Sequence, residues 1–152
     1  MQKQKVHLLI APAIGGLFLI ADQILKYIAE YHQNLSYYYI KPWLGWEYLK
    51  NPGVAFGIPI PHYVIIPLSF LILFIGFLYL SKSEKKTILS FYALAFIASG
   101  AISNLIDRIV YSATIDYIRI LGSVINMADI LIILGVLLLI SDRHEKNKRL
   151  SA

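Results

Sequence analysis

From residue 63 to residue 80 the chain reads YVIIPLSFLILFIGFLYL, without a single charged side chain. A run of that length and character constrains the fold more than any motif does. A helix of about 20 predominantly apolar residues crosses the hydrocarbon core of a bilayer, where each backbone polar group must find its partner inside the protein. Three further segments match this description, at residues 7–29, 87–110 and 124–141. Only 15% of the residues are charged, against about 25% in soluble domains. The expected fold is therefore an all-α integral membrane protein. It is a four-transmembrane-helix bundle forming one domain over residues 1–152, with a small extracytoplasmic β-containing loop region at residues 30–62.

Lys3 and Lys5 ahead of the first apolar run would also suit a secretory signal peptide. The run ends in ADQILK, however, and no small-x-small cleavage site follows, so a retained helix is expected. Nine of the fourteen basic residues then sort to one side. Lys3 and Lys5 precede span one, Lys82, Lys85 and Lys86 lie between spans two and three, and Arg143, Lys146, Lys148 and Arg149 follow span four. The positive-inside rule places both termini in the cytoplasm. The net charge of +5 thus orients the chain and does not form a nucleic-acid stripe. Cysteine is absent, which removes disulfides, thiolate metal sites and thiol nucleophiles.

The outer loop contains YYYIKPWLGWEYLKNPGVAFG, broken at Pro42, Gly45 and Pro52-Gly53. It is expected to form short strands on the membrane surface. Tyr37, Tyr38, Tyr39, Trp43, Trp46 and Tyr48 suit an interfacial aromatic belt, for which simple anchoring is the plainer use. Lys26, Lys41, Lys50 and Arg119 are candidates for lipid headgroup contact or plain solvation.

The same outer edge gathers costly groups. Asp22 and Lys26 are i,i+4 on span one; Asn104 lies i,i+3 from Asp107 and i,i+4 from Arg108 on span three; Asn126 and Asp129 are i,i+3 on span four. Asp116 falls on the short connection that returns to the top of span four. Intramembrane ionisable groups mark function by default. Two carboxylates meeting at a low-dielectric rim cannot both ionise easily, and one proton shared between them is what an aspartic hydrolase uses. The plainer reading is that these acids pair with Arg108 or Arg119 and only hold helices together. It fits Asp107 best, with Arg108 beside it.

Five blocks in order carry a resemblance over nearly the whole chain. DQILK (22–26) is similar to D-Q-x-x-K, NPGVAFG (51–57) to N-x-G-x-A-F, SGAISNLIDR (99–108) to G-G-x-x-G-N-x-x-D-R, IDYI (115–118) to V-D-F, and INMADILI (125–132) to F-N-x-A-D. The chain thereby resembles lipoprotein signal peptidase, or signal peptidase II, an aspartic protease family of bacterial membranes. The resemblance implies that Asp116 and Asp129 form the catalytic dyad, with Asn104, Asp107, Arg108 and Asn126 supporting the dyad or the substrate. Asp22, Asn51 and Gly53 would shape the substrate site, Lys26 would join this supporting set, and the surface loop would act as a cover.

The implied substrate is a diacylglyceryl-modified prolipoprotein, cut on the amino side of its lipidated cysteine. The enzyme would be a monomer in the bacterial cytoplasmic (inner) membrane, in contact with membrane lipids, acting near the extracytoplasmic face without cofactor or metal. Ser99 and Ser103 replace two glycines of the third block, Leu25 stands where Ser or Thr is usual, and Ile125 where Phe is common. Serine is small enough to preserve close packing and can hydrogen-bond across helices.

Three other functions use the same residues. A serine protease would need a base near IASGAIS, but His7 and His144 lie on the cytoplasmic side and His32 and His62 in the outer loop. A metal-dependent membrane phosphotransferase could hold a hard cation on Asp107, Asp116 and Asp129, though no phosphate-gripping motif accompanies them. A non-enzymatic proton-relay or transporter subunit would place its acids nearer the midplane, within repeated halves.

Overall fold

The structure, a computed structural model, describes residues 2–53, 60–82 and 87–151. Chain order is α1 (Gln2–Tyr31), β1 (Ser36–Ile40), β2 (Leu44–Asn51), α2 (His62–Lys82), α3 (Ile88–Tyr111), β3 (Thr114–Ile120), β4 (Ser123–Ile125) and α4 (Met127–Ser151). Among these residues the fold has four helices and one antiparallel sheet, in strand order β1-β2-β3-β4. The segments Val6–Tyr31 and Ile88–Tyr111 are long and apolar enough to cross a membrane; Tyr63–Tyr79 is apolar but shorter.

The burial pattern is the reverse of a soluble protein's. Leu9 and Leu17 on α1, Phe70, Phe74 and Phe77 on α2, and Ile133, Leu137 and Ile140 on α4 are exposed. Asp22, Lys26, Asn104, Asp107, Asp116 and Asn126 are buried instead. An apolar exterior this extensive needs an apolar surrounding, and the buried charges need one another.

Local chemistry fixes the helix ends. Thr87 caps α3 in a capping box, its Oγ1 accepting from Ser90 N and the Ser90 hydroxyl accepting from Thr87 N, both at 3.1 Å. Ser112 ends the helix in the left-handed region (φ 55) with its N–H on the Arg108 carbonyl. Asn126 caps α4, its Oδ1 accepting from Asp129 N at 2.9 Å. The α3–α4 contact depends on Gly100, where an added Cβ would lie 2.5 Å from the Ala128 carbonyl oxygen. Small residues let helices approach this closely where lipid supplies no hydrophobic drive between them.

The sheet is larger than the sequence reading allowed. Residues 114–125 are a hairpin, so Asp116 sits within β3, and α4 begins at Met127 instead of residue 124. The alternation in TIDYIRI is a strand signal, but a connection between two spans reads first as a loop. The hairpin closes through Leu121 and Gly122, with Leu121 at φ 52 and its N–H on the Trp43 carbonyl at 2.6 Å. Ile115 and Tyr117 pack with Ala29 against Leu25, Trp46, Tyr48 and Met127, seating the sheet on the ends of α1 and α4. Of the aromatic belt, Tyr37, Tyr39 and Trp43 are exposed, whereas Trp46 and Tyr48 belong to this packing.

Candidate active site

Asp116 and Asp129 reach the same place from different elements, β3 and the first turn of α4. Asn126 joins them: its Nδ2 donates to Asp116 Oδ1 at 2.6 Å while its Oδ1 accepts from Asp129 N. Since only the oxygen of an amide can accept, the Asp129 N–H dictates which way this side chain faces. Asn51, at the end of β2, donates to Asp116 Oδ2 at 3.0 Å, and the pairing of Asn51 with Thr114 places it there. Asn104 donates to Asp129 Oδ1 at 2.8 Å. Three amides thus hold two carboxylates.

Asp116 is buried, and burial pushes its carboxyl up to about 7; the Asp129 charge adds to the rise, while Asn51, Asn126 and Lys26 oppose it. Asp129 lines a cavity of about 490 Å³ with Ile120, Leu121, Gly122, Ser123, Ile125 and Ile133. The hairpin tip and one face of α4 therefore form an apolar mouth in front of the pair. A larger hollow of about 720 Å³ lies between α2, α3 and α4 beside Phe77, Leu94 and Leu139. Its α4 lining begins ten residues beyond Asp129, roughly 15 Å along the helix.

Beneath the pair lies a buried ion network. Lys26 bridges Asp22 at 3.0 Å and Asp107 at 2.8 Å, and donates to Asn104 Oδ1 at 2.8 Å. Asp22 and Lys26 are buried in this network, 0% and 1% exposed. Their reach to the site runs through Asn104. Asp107 pairs with Lys26, where its neighbour Arg108 was the expected partner, and also accepts from Gln23 at 3.0 Å and from Ile115 N at 3.1 Å. Arg108 instead donates to the carbonyls of Asn104 (3.1 Å) and Gly53 (3.3 Å). The Asn51–Gly53 turn, closed by Gly53 N on Asn51 Oδ1 at 2.9 Å, is thereby tied to α3. The rest of that block, residues 54–57, lies outside the described residues.

Gln23 and Tyr117 lie in the first and fourth sequence blocks, but neither carried an expected role. Gln23 donates to the Ser103 carbonyl, the Ser103 hydroxyl and Asp107. Tyr117 donates to Asp22 Oδ1 at 2.8 Å and accepts from Met127 N at 3.2 Å. Burial and the Asp22 carboxylate push the Tyr117 phenol up, so it remains a donor. A tyrosine in a buried strand needs some partner, but the sequence does not say which. Ser103, a departure from the family pattern, hydrogen-bonds across to Asp22, Gln23 and Lys26. The other, Ser99, lies with its Oγ 2.5 Å from where a Cβ on Gly15 would fall. Arg119 pairs with Glu47 at the surface, 3.2 Å away.

The fold matches that of a solved bacterial membrane enzyme (in meso, 2.3 Å resolution) with TM-score 0.85 at 23% identity, covering 92% of this chain and 90% of the other. A second such enzyme, at 1.9 Å resolution, gives TM-score 0.76 at 24% identity, over 88% and 91%. The chain shares the fold of these two membrane enzymes.

The family described as signal peptidase (SPase) II matches residues 14–143. The lipoprotein signal peptidase of Acinetobacter baumannii (strain SDF) is 32% identical over 147 residues, 90% of this chain and 84% of the relative. That of Syntrophus aciditrophicus is 32% identical over 152 residues, 90% and 93%, and that of Clostridium novyi 34% over 130 residues, 80% and 88%. The chain belongs to the signal peptidase II family, and it is a protease.

Proposed function

We propose that Asp116 and Asp129 are the catalytic dyad of an aspartic endopeptidase that removes the signal peptide from diacylglyceryl-modified prolipoproteins, cutting on the amino side of the lipidated cysteine. The observation that carries this reading is the pair itself. Two carboxylates are held by Asn51, Asn104 and Asn126, and one of them faces an apolar cavity. The pair shares one proton and titrates as a unit. Its ionised member takes a proton from water, the resulting hydroxide attacks the scissile carbonyl, and the protonated member stabilises the oxyanion. Collapse passes a proton to the amine of the leaving cysteine and returns the dyad to its starting charge.

In this reading all four helices span the bacterial cytoplasmic membrane with both termini inside, and the sheet lies at the extracytoplasmic face. The exposed apolar side chains of α2 and α4 support these two helices as further spans. In this reading the enzyme acts as a monomer. The apolar mouth at Ile125 and Ile133 suits a lipid-modified peptide.

The rival chemistries meet obstacles in the geometry. Asp107 commits both oxygens to Lys26, Gln23 and Ile115 N, so it has none turned to a cation shared with Asp116 and Asp129. Ser103 lies 3.3 Å from Lys26, within range of a serine–lysine pair. The Lys26 ammonium is committed to two carboxylates, and the Ser103 hydroxyl donates to Asp22. A nucleophilic pair needs a free base and an approachable hydroxyl.

The test is cleavage of a diacylglyceryl-modified prolipoprotein peptide in detergent with a chelator present, beside the same peptide lacking the lipid. Product masses that place the cut before the lipidated cysteine, with the chelator and only for the lipidated peptide, are the expected result. Cleavage abolished by the chelator would move the assignment to metal-dependent chemistry.

A further inference from the structure

Two positions depart from the family blocks in the same way. The pattern carries glycine at Ser103 (G-G-x-x-G-N) and phenylalanine at Tyr117 (V-D-F); this chain adds a hydroxyl at each. Both hydroxyls end on one carboxylate. Ser103 Oγ donates to Asp22 Oδ2 at 2.6 Å, and Tyr117 donates to Asp22 Oδ1 at 2.8 Å. All three side chains are fully buried. Glycine and phenylalanine have no donor, so this double clamp on Asp22 cannot exist with the pattern residues.

The clamp leads to the reacting groups by two routes. Through Asp22 it reaches Lys26, then Asn104 Oδ1, and from Asn104 Nδ2 reaches Asp129, each step 3.0 Å or less. The second route is shorter. Tyr117 follows Asp116 in β3 and accepts from the N–H of Met127, the first residue of α4. Asp22 Oδ1 also accepts from Ala128 N at 3.3 Å. The hydroxyl and the carboxylate thus join the strand that carries Asp116 to the helix start that carries Asp129. A carboxylate is favourable at such a helix N-terminus.

We propose that Ser103 and Tyr117 are positioning residues for this chain's dyad, acting jointly through Asp22 to orient Asn104 and to fix β3 against the start of α4. Their hydroxyls satisfy both Asp22 oxygens, so Lys26 is held toward Asn104 in one geometry. Neither residue touches the substrate. The inference rests on the reading of Asp116 and Asp129 as the dyad.

The experiment uses the full-length enzyme in detergent with the lipidated peptide, comparing wild type, Ser103→Ala, Tyr117→Phe and the double variant. Thermal stability is recorded for each. Loss of one hydrogen bond to a buried charge should lower kcat about tenfold in each single variant, with KM within about twofold. The double variant should lose less than the product of the two, since both hydroxyls serve one carboxylate. The acidic limb of the kcat/KM profile should move to higher pH, because a loosened Asn104 gives less support to the ionised form of the dyad.

A fall in thermal stability with unchanged kcat and pH profile would overturn the proposal, leaving the hydroxyls a purely structural role. Losses that multiply in the double variant would overturn the joint action through Asp22. Ser103→Gly, the pattern residue, replaces Ser103→Ala if that variant does not fold. Failure of the dyad reading shows elsewhere, as cleavage surviving in Asp116→Asn or Asp129→Asn.

Discussion

Replacing Asp116 with asparagine should change stability in opposite directions at opposite ends of the pH range. Burial and the Asp129 charge raise this carboxyl from 3.8 to about 7. The native state therefore holds a proton that the unfolded chain releases, and stability falls as pH rises from 3.8 through about 7. At about 1.4 kcal/mol per pH unit, forcing Asp116 to ionise costs roughly 4 kcal/mol by pH 8. The asparagine variant would escape that cost. It would also lose an acceptor, because Asn51 and Asn126 both donate to the present oxygens and an amide can accept from only one. Neither donor turns freely: Asn51 Oδ1 holds Gly53 N and Asn126 Oδ1 holds Asp129 N. One stranded buried donor costs about 1–3 kcal/mol.

The balance favours the variant by about 1–3 kcal/mol at pH 8 and favours wild type by a similar amount near pH 4, where ionisation costs nothing. Thermal unfolding in detergent at pH 4, 6 and 8 measures the difference. A crossover between pH 4 and 8 is expected, with the variant inactive throughout. A difference that does not vary with pH would refute the reasoning, since it would mean that Asp116 ionises in the folded protein as readily as in the unfolded chain.

Other substitutions probe separate parts of the account. Lys26→Met strands Asp22 and Asp107 without their cation and should destabilise by about 3–5 kcal/mol, read as a large loss of thermal stability. Gly100→Ala puts a methyl against the Ala128 carbonyl oxygen and Ile132, one turn from Asp129. It should cost about 1–3 kcal/mol and reduce cleavage, both measurable on the purified enzyme. Asn104→Ala and Asn126→Ala each remove one donor from the dyad and should slow cleavage by about 10- to 100-fold. The loss in either should remain smaller than that from replacing an aspartate.

The apolar segments and the basic residues between them were legible in the sequence because lipid demands length and apolarity in one continuous stretch. The acids were legible for the converse reason: Asp22, Asp107 and Asp129 are costly in such segments unless something requires them. Pairing partners were harder to read. Asp107 stands beside Arg108 in sequence, yet successive helical residues point about 100° apart, and the cation that reaches Asp107 is Lys26 from α1. The β3–β4 hairpin pairs locally, but a connection between two spans reads first as a loop; its pairing with β2, some 70 residues earlier, leaves no trace in short-range pattern. The supporting hydroxyls of Ser103 and Tyr117 converge on Asp22 only once α1, α3 and β3 have packed.

The most direct test of the dyad is single-turnover cleavage of the lipidated peptide by wild type, Asp116→Asn and Asp129→Asn, each shown to be folded by thermal unfolding. Cleavage by wild type and none detectable from either folded variant is the expected result. Cleavage persisting in either folded variant would contradict a mechanism in which these two carboxylates share the proton and activate the water.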